Sequence, residues 1–339
     1  MRVVPDAGAL DKEFDYWVRP EWAEGMDAGS IVRVDLHGRR VGAWVVAAGV
    51  DPAPGLDLLP VARLGGWGPD ADTMDLARWA AWRWAGRPAH FLRAASPDRR
   101  VLSLPPPVSS PPAGPVPTGE AAAVAASAMA RGGHRVVALP PGLDATPVVA
   151  AATRRGPTLV VVPTAARAAV LAGRLRGYGL TVAVVPDGWD RARAGAHAVV
   201  GARGAAWAPC PGMAAAVVVD GHEEALTSEA APTWNAVDVV VERARRAGVP
   251  CLVLSPCPPP ELAAGVEVIR PSRPSERVGW PAMDVIDRRG DDPRLGLWSA
   301  PVAAVVRQGR VACVLNRKGR ARLLACAACG ALAACERCG

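Results

Sequence analysis

From residue 134 onward the chain repeats one pattern, a short unbroken apolar run followed by an Ala/Arg-rich stretch of helical periodicity. The runs are HRVVAL (134–139), TLVVVP (158–163), TVAVVP (181–186), HAVVGA (197–202), AAVVVD (215–220) and PCLVLSP (250–256). Apolar runs without alternation predict strands covered on both faces, and helices between them predict crossover connections. The expected fold is α/β, a doubly wound lobe of parallel strands. Ligands of such sheets lie beyond the carboxyl ends of the strands, so chemistry is expected in the loops after Leu139, Val162, Asp220 and Leu254.

The first hundred residues follow a different pattern. FDYWV (14–18) and SIVRVDL (30–36) alternate or cluster β-formers, and His37-Gly38-Arg39-Arg40 turns the chain into VGAWVV (41–46), which predicts a hairpin in a small barrel or sheet. One later helix is expected from Thr73 to Trp84, where Met74, Leu76, Ala77, Ala80, Ala81 and Trp84 recur at helical spacing before Gly86-Arg87-Pro88. Seven of the twelve tryptophans precede residue 105. For Trp79, Trp82 and Trp84, helix packing is favoured over a base-stacking platform.

PPPVSSPPAGPVP (105–117) cannot donate a regular hydrogen-bond ladder and is expected to be an extended interdomain linker. The predicted organisation is a β-rich domain (1–104), the linker (105–117), the α/β lobe (118–268), a partly irregular connection (269–305) and the start of a further lobe (306–339). VACVLN (311–316) is expected to be a strand of that last segment.

The chain has 339 residues, half of them apolar, and a net charge of +7. That excludes a disordered polyelectrolyte. Residues 1–104 and 105–268 are close to neutral, whereas 269–339 hold 13 basic and 6 acidic side chains, so the excess lies in the last fifth. Only Lys12 and Lys318 are lysines in this alanine-rich sequence, a bias expected of a GC-rich genome rather than of phosphate binding. Neither a signal peptide nor a transmembrane helix is expected, and a cytoplasmic location with reduced thiols fits best.

A phosphate-binding loop after the first lobe strand would need small residues, free N–H groups, a lysine, and Ser or Thr for magnesium. Pro140-Pro141-Gly142-Leu143-Asp144-Ala145-Thr146 stands there, and no lysine lies between Lys12 and Lys318. Gly142 and Thr146 are the candidate nucleotide contacts, although helix capping explains Thr146 as well. Asp220 ends an apolar strand as a magnesium-binding acid would, but capping of the next turn is the stronger reading. His222 beside Glu223 suggests acid/base work, with a loop histidine as the default.

Cys326-x2-Cys329-x5-Cys335-x2-Cys338 is the most specific signal in the chain. Each C-x2-C pair makes a knuckle for one metal, and zinc takes four such thiolates. The five-residue gap leaves open one shared zinc or two half-sites. Upstream, residues 307–322 carry Arg307, Arg310, Arg317, Lys318, Arg320 and Arg322 and no acid, which favours phosphate contacts.

In order along the chain these pieces resemble the replication-restart primosomal protein N′ (PriA) family. Leu10 to Tyr16 is similar to the family's L-x-x-x-F-D-Y, and Gly29 to Gly38 with Val41-Gly42 to its G-x-x-V-x-V-x-x-G segment. Val200-Gly201-Ala202-Arg203-Gly204-Ala205 is similar to V-G-T-R-S-A, and Leu315-Asn316-Arg317-Lys318-Gly319 before the cysteines to L-N-R-R-G. The resemblance implies a 3′-end DNA-binding domain, a RecA-like helicase lobe and the start of a zinc-binding second lobe, with the chain ending inside the zinc region. It implies that Phe14, Asp15 and Gly38 hold the 3′ end of a nascent strand. Arg317 and Lys318 would contact DNA, and Cys326, Cys329, Cys335 and Cys338 would serve two Zn2+ ions completed farther on.

The departures from the pattern are equally specific. The family's GSGKT, D-E-E-H and G-S-A-T-P correspond to PPGLDAT (140–146), Asp220-Gly221-His222-Glu223 and Leu254-Ser255-Pro256-Cys257-Pro258, and the proline linker stands where a winged helix is expected. ATP and Mg2+ are therefore expected to be poorly held or absent. The resulting expectation is a protein that binds forked DNA, primosome proteins and single-stranded DNA-binding protein without a helicase motor. An ATP-dependent 3′-to-5′ helicase with an altered site, and a non-functional fragment, are the alternatives.

Overall fold

A computed structural model describes the chain except residues 8, 9, 11, 24, 53, 109, 113, 291–298, 315–323, 326–331 and 334–339. It divides into two compact units, Met1–Trp280 and Pro281–Gly339.

In the first unit, residues 1–66 build a five-stranded antiparallel sheet. Its strands are β1 (Arg2–Pro5), β2 (Phe14–Asp15), β3 (Ile31–Leu36), β4 (Arg39–Ala47) and β5 (Arg63–Gly66), in the order β2-β1-β4-β3-β5. A bridge from Trp17 to Pro60 links the two sheet edges and closes a small barrel. Alternation decides the faces: Val32 and Val34 of β3 are buried with Val3, Val45 and Tyr16, whereas Ile31, Arg33 and Asp35 point away. A one-turn helix, α1 (Pro20–Ala23), lies between β2 and β3.

Two helices follow the barrel where the sequence predicts one: α2 (Ala71–Arg83) and α3 (Pro88–Ala95). Gly86-Arg87-Pro88 ends the first but also starts the second, because proline at the first helical turn gives up no needed donor. The sequence pattern also misses β1 and β5, each four residues long and too short to show periodicity.

All six apolar runs of the lobe are strands: β6 (His134–Ala138), β7 (Thr158–Val161), β8 (Val182–Val185), β9 (Ala198–Gly201), β10 (Ala215–Val218) and β11 (Cys251–Ser255). With β12 (Val268–Ile269) they form a seven-stranded, wholly parallel sheet ordered β12-β6-β11-β10-β7-β9-β8, the arrangement of a RecA-like lobe. One face packs Val137, Val160, Val200 and Val217 against α4 (Glu120–Ala130), α5 (Thr146–Thr153) and α6 (Ala165–Gly177). The crossovers are completed by α7 (Trp189–Ala194), α8 (Ala236–Ala247) and α9 (Pro260–Ala263).

The other face is shared with the N-terminal helices. Leu76, Ala80, Phe91 and Leu92 of α2 and α3 lie in one buried cluster with Val161, Val218, Trp207 and Val240 of the lobe. Aromatic rings mark the junction: Trp79, Trp84, Phe91, Trp207 and Trp234 succeed one another with centroids 5.2–6.2 Å apart. The packing expected of Trp79 and Trp84 is therefore observed, but Trp82 points outward and is 78% exposed. Residues 105–117 run along the lobe, with Arg191 donating to the Pro106 carbonyl, Val108 N–H to Gly195 and Arg154 to Pro112.

The partly irregular connection holds two helices, α10 (Arg273–Gly279) in the first unit and α11 (Ala300–Gln308) in the second, with no regular structure over residues 281–288. Pro274 and Pro301 sit in their first turns, where proline favours a helix. Val311–Val314, expected to be a strand, has no regular structure. The second unit also pairs β13 (Leu324–Ala325) with β14 (Leu332–Ala333) antiparallel.

Candidate functional site

In the barrel, β1 and β2 place Asp15 opposite Arg2. Arg2 Nε and Nη2 donate to the two carboxylate oxygens of Asp15 at 2.9 and 3.1 Å, and this fork holds the carboxyl below its ordinary pKa. The Met1 ammonium donates to the Tyr16 carbonyl at 2.8 Å beside the same pair. Phe14 is half-buried against the barrel core. Gly38 forms the tip of the β3–β4 hairpin, with His37 at φ 48° and Gly38 at φ 76°, so both central residues are left-handed. A Cβ on Gly38 would meet nothing within 4 Å, so the turn conformation and not crowding selects glycine there. Between these places runs the Tyr16 side chain, whose hydroxyl donates to the Asp35 carbonyl at 3.0 Å, next to the hairpin tip.

A cleft of about 590 Å³ lies where the sheet topology predicts, beyond the carboxyl ends of β6, β7, β10 and β11. It brings together Gly142, Thr146 and Asp220, and the loops after Leu139, Val162 and Leu254 contribute to its lining. Several of the donors that would greet a phosphate are missing or already engaged. Pro140 and Pro141 have no N–H, and Gly142 N–H donates to Gly279 of α10 at 2.9 Å. Leu143 N–H turns back to Pro140. Asp144 Oδ1 accepts from both the N–H and the hydroxyl of Thr146, at 2.9 and 2.8 Å, placing an internal carboxylate at the start of α5. Asp144 is itself paired with Arg174 of α6 at 3.2 Å.

Across the cleft, Arg167 of α6 forms an ion pair with Asp220. Asp220 has φ 52°, a left-handed conformation open to aspartate, as the chain turns into Gly221. His222 Nδ1 lies 3.1 Å from Ser255 Oγ at the end of β11, so the histidine is tied to the neighbouring strand. The sequence had not pointed to Arg2, Arg167 or Arg174 as partners. Only Arg167 and Arg174 were findable, as arginines in the first and third turns of the helix after Val162.

Arg317, Lys318, Cys326, Cys329, Cys335 and Cys338 lie outside the described residues. β13 and β14 flank the segment that holds Cys326 and Cys329. Of the remaining cysteines, Cys210 and Cys251 are buried, which pushes each thiol up to about 12, while Cys257 and Cys313 are exposed. Among the described residues no three His, Cys, Asp or Glu side chains gather as a metal site would require. No described helix is long and apolar enough to cross a membrane.

Residues 2–97 match the family described as the PriA 3′DNA-binding domain (3′BD). The matched segment comprises the barrel, α2 and α3. No curated protein matches the chain.

Proposed function

From the premise that residues 2–97 make this a PriA-family protein, with a domain for binding DNA at 3′ ends, we propose that the chain recognises stalled or abandoned replication forks without a nucleotide-driven motor of its own. Phe14 and Asp15 would receive the terminal nucleotide: the half-buried ring offers a face for the base, and the carboxylate, kept ionised by Arg2, accepts from a 3′-hydroxyl. Gly38, at an open hairpin tip, would let the strand approach the backbone closely.

The observation that carries the second half of the proposal is the occupancy of the lobe cleft by the chain's own charges. Phosphoryl transfer needs donors and cations around the phosphates and a free acid for magnesium. Here Asp144 takes the N–H and the hydroxyl of Thr146 at the start of α5, and Arg167 neutralises Asp220. The residues present do not fit ATP and Mg2+, and no step is assigned to them. The lobe would instead serve as a scaffold, with one sheet face covered by α2 and α3 of the DNA-binding domain. Primosome proteins and single-stranded DNA-binding protein are the partners proposed for it.

The four cysteines Cys326, Cys329, Cys335 and Cys338 suit zinc by their donor chemistry, and Arg317 and Lys318 beside them suit phosphate. Zinc there would supply a structural crosslink and no chemistry.

The proposal is tested with forked DNA bearing either a free or a phosphorylated 3′ end. Asp15 would repel the phosphate, so weaker binding of the phosphorylated fork is expected, and equal affinity refutes the assignment of the 3′-end site. In the same preparation, ATP turnover stimulated by forked DNA would overturn the absence of a motor in favour of an active 3′-to-5′ helicase.

A further inference from the structure

A second charged cleft, of about 270 Å³, lies on the outer face of the barrel. It is lined by Ile31 and Arg33 of β3, Arg63 to Gly65 of β5, Trp67, and residues 97–100 that follow α3. Its geometry is set by strand register. Arg33 and Arg63 are directly opposed across the antiparallel β3–β5 pair, which places their side chains side by side on the sheet's outer face. Like charges in that relation destabilise a sheet, and neither guanidinium has an ion pair or a hydrogen-bond partner among the described residues. Four other arginines of the barrel and its helices are differently placed: Arg2, Arg40, Arg78 and Arg93 all hold carboxylates.

Two further arginines complete the lining. Arg100 is spent on structure, donating to the Gly65 and Leu64 carbonyls at 2.8 and 2.6 Å and so fastening β5 beneath the cleft. Arg99 is exposed and makes only a 3.5 Å contact with the Asp187 carbonyl. Asp98 is the one acid in the lining, and it pairs with none of these arginines. Trp67 supplies an apolar wall, and Arg193 stacks on its ring at 5.1 Å from the centroid. The cleft therefore presents three cationic forks, Arg33, Arg63 and Arg99, against one carboxylate, and none of the three is in an ion pair among the described residues.

We propose that this cleft is a backbone subsite for DNA, in which Arg33 and Arg63 hold adjacent phosphates of the strand and Arg99 a third contact at the rim. Guanidinium forks match phosphate oxygens in geometry and stay charged at every working pH. The cleft takes no residue from β2, where Phe14 and Asp15 lie. It would thus add affinity without reading the 3′ end. The inference rests on the 3′-end reading only in taking DNA as the ligand.

The test is a fluorescence-anisotropy titration of the full chain on the two forks, with free and phosphorylated 3′ ends, over a range of salt. For Arg33→Gln/Arg63→Gln, affinity for both forks should fall about tenfold and the salt slope should flatten by about 1.4, the expectation for two lost single-strand phosphate contacts. The preference between the two forks should stay as in the wild type. The variant should unfold at no lower temperature than the wild type, because the opposed charges are gone. Arg33→Lys/Arg63→Lys should keep most of the slope, which a folding defect would not allow. Wild-type affinity and slope in the Gln variant overturn the inference, even if the fork preference is observed. Loss of affinity in the Gln variant, with no fork preference in the wild type, supports the cleft and refutes the 3′-end site.

Discussion

Arg167, in the first turn of α6, neutralises Asp220, the acid that follows β10 at the mouth of the lobe cleft. In a nucleotide-binding lobe both charges would face the ligand, whereas here they face each other. Asp220→Ala should accordingly leave fork binding unchanged and lower stability by only about 0.5–1 kcal/mol, as expected of a pair whose arginine is more than half exposed. Equilibrium dialysis with labelled ATP checks the companion expectation that neither the wild type nor this variant retains nucleotide at micromolar concentration. Saturable binding that disappears in Asp220→Ala would restore the motor reading.

The start of α5 gives a complementary experiment. Asp144 satisfies Thr146 as a capping carboxylate. Asp144→Ala should cost about 1 kcal/mol in urea unfolding. It also frees the donors at the helix start and leaves Arg174 without its partner. Added phosphate should then raise the unfolding temperature of Asp144→Ala more than that of the wild type. An identical response of the two proteins would show that Asp144 does not occupy an anion position.

Fold and site were legible to different degrees. The lobe strands stood out because burial on both faces makes a run such as Thr158–Val161 continuously apolar, a signal that survives in four residues. The placement of Gly142, Thr146 and Asp220 around one cleft followed from the same pattern, since parallel sheets put their loops at one end. What remained hidden were relations between distant positions. Arg2 meets Asp15 through antiparallel register, Arg167 meets Asp220 across 53 residues, and Arg33 meets Arg63 across two strands, one of which has no visible periodicity. The proline segment read as a boundary, because composition tells of an extended backbone but not of what it lies against. That Phe91 and Trp207 share a core was invisible for the same reason.

That shared core makes the DNA-binding domain and the lobe mechanically one body. Phe91 is 1% exposed and lies 5.2 Å from the Trp207 ring. Phe91→Ala should cost about 3–5 kcal/mol through lost burial and the cavity left behind. Because α3 joins the two parts, calorimetry should show one transition for residues 1–280 in the wild type and a split or broadened transition in the variant. Two separate transitions in the wild type would show that the junction is not cooperative.

Metal content decides the cysteine segment independently of DNA. Purified under reducing conditions, the chain should carry zinc measurable by emission spectroscopy. Cys326→Ser and Cys335→Ser should each lower the ratio, because thiolate donors hold the ion. If one ion is shared, either substitution should remove it entirely, whereas two half-sites should each lose only their own share. A zinc-free wild type would refute the site.

Asp15 offers a pH test in which the sign is fixed by the structure. Its carboxyl is held below the ordinary value by the Arg2 fork, so the ion pair stabilises the fold above the unfolded-state pKa of about 3.9. The contribution fades as pH falls through the lowered folded-state value. Asp15→Asn should therefore be less stable than the wild type at neutral pH, and the gap should begin to narrow near pH 4 and close below the folded-state pKa. Arg2→Gln should show the same pH-dependent deficit, since it removes the other half of one interaction. Unfolding curves taken across this range distinguish the ion pair from a packing effect, which would leave the gap constant. In fork binding the two variants should diverge. Asp15→Asn removes the charge that rejects a 3′-phosphate and should lose the preference, while Arg2→Gln leaves that charge in place and should keep it at neutral pH.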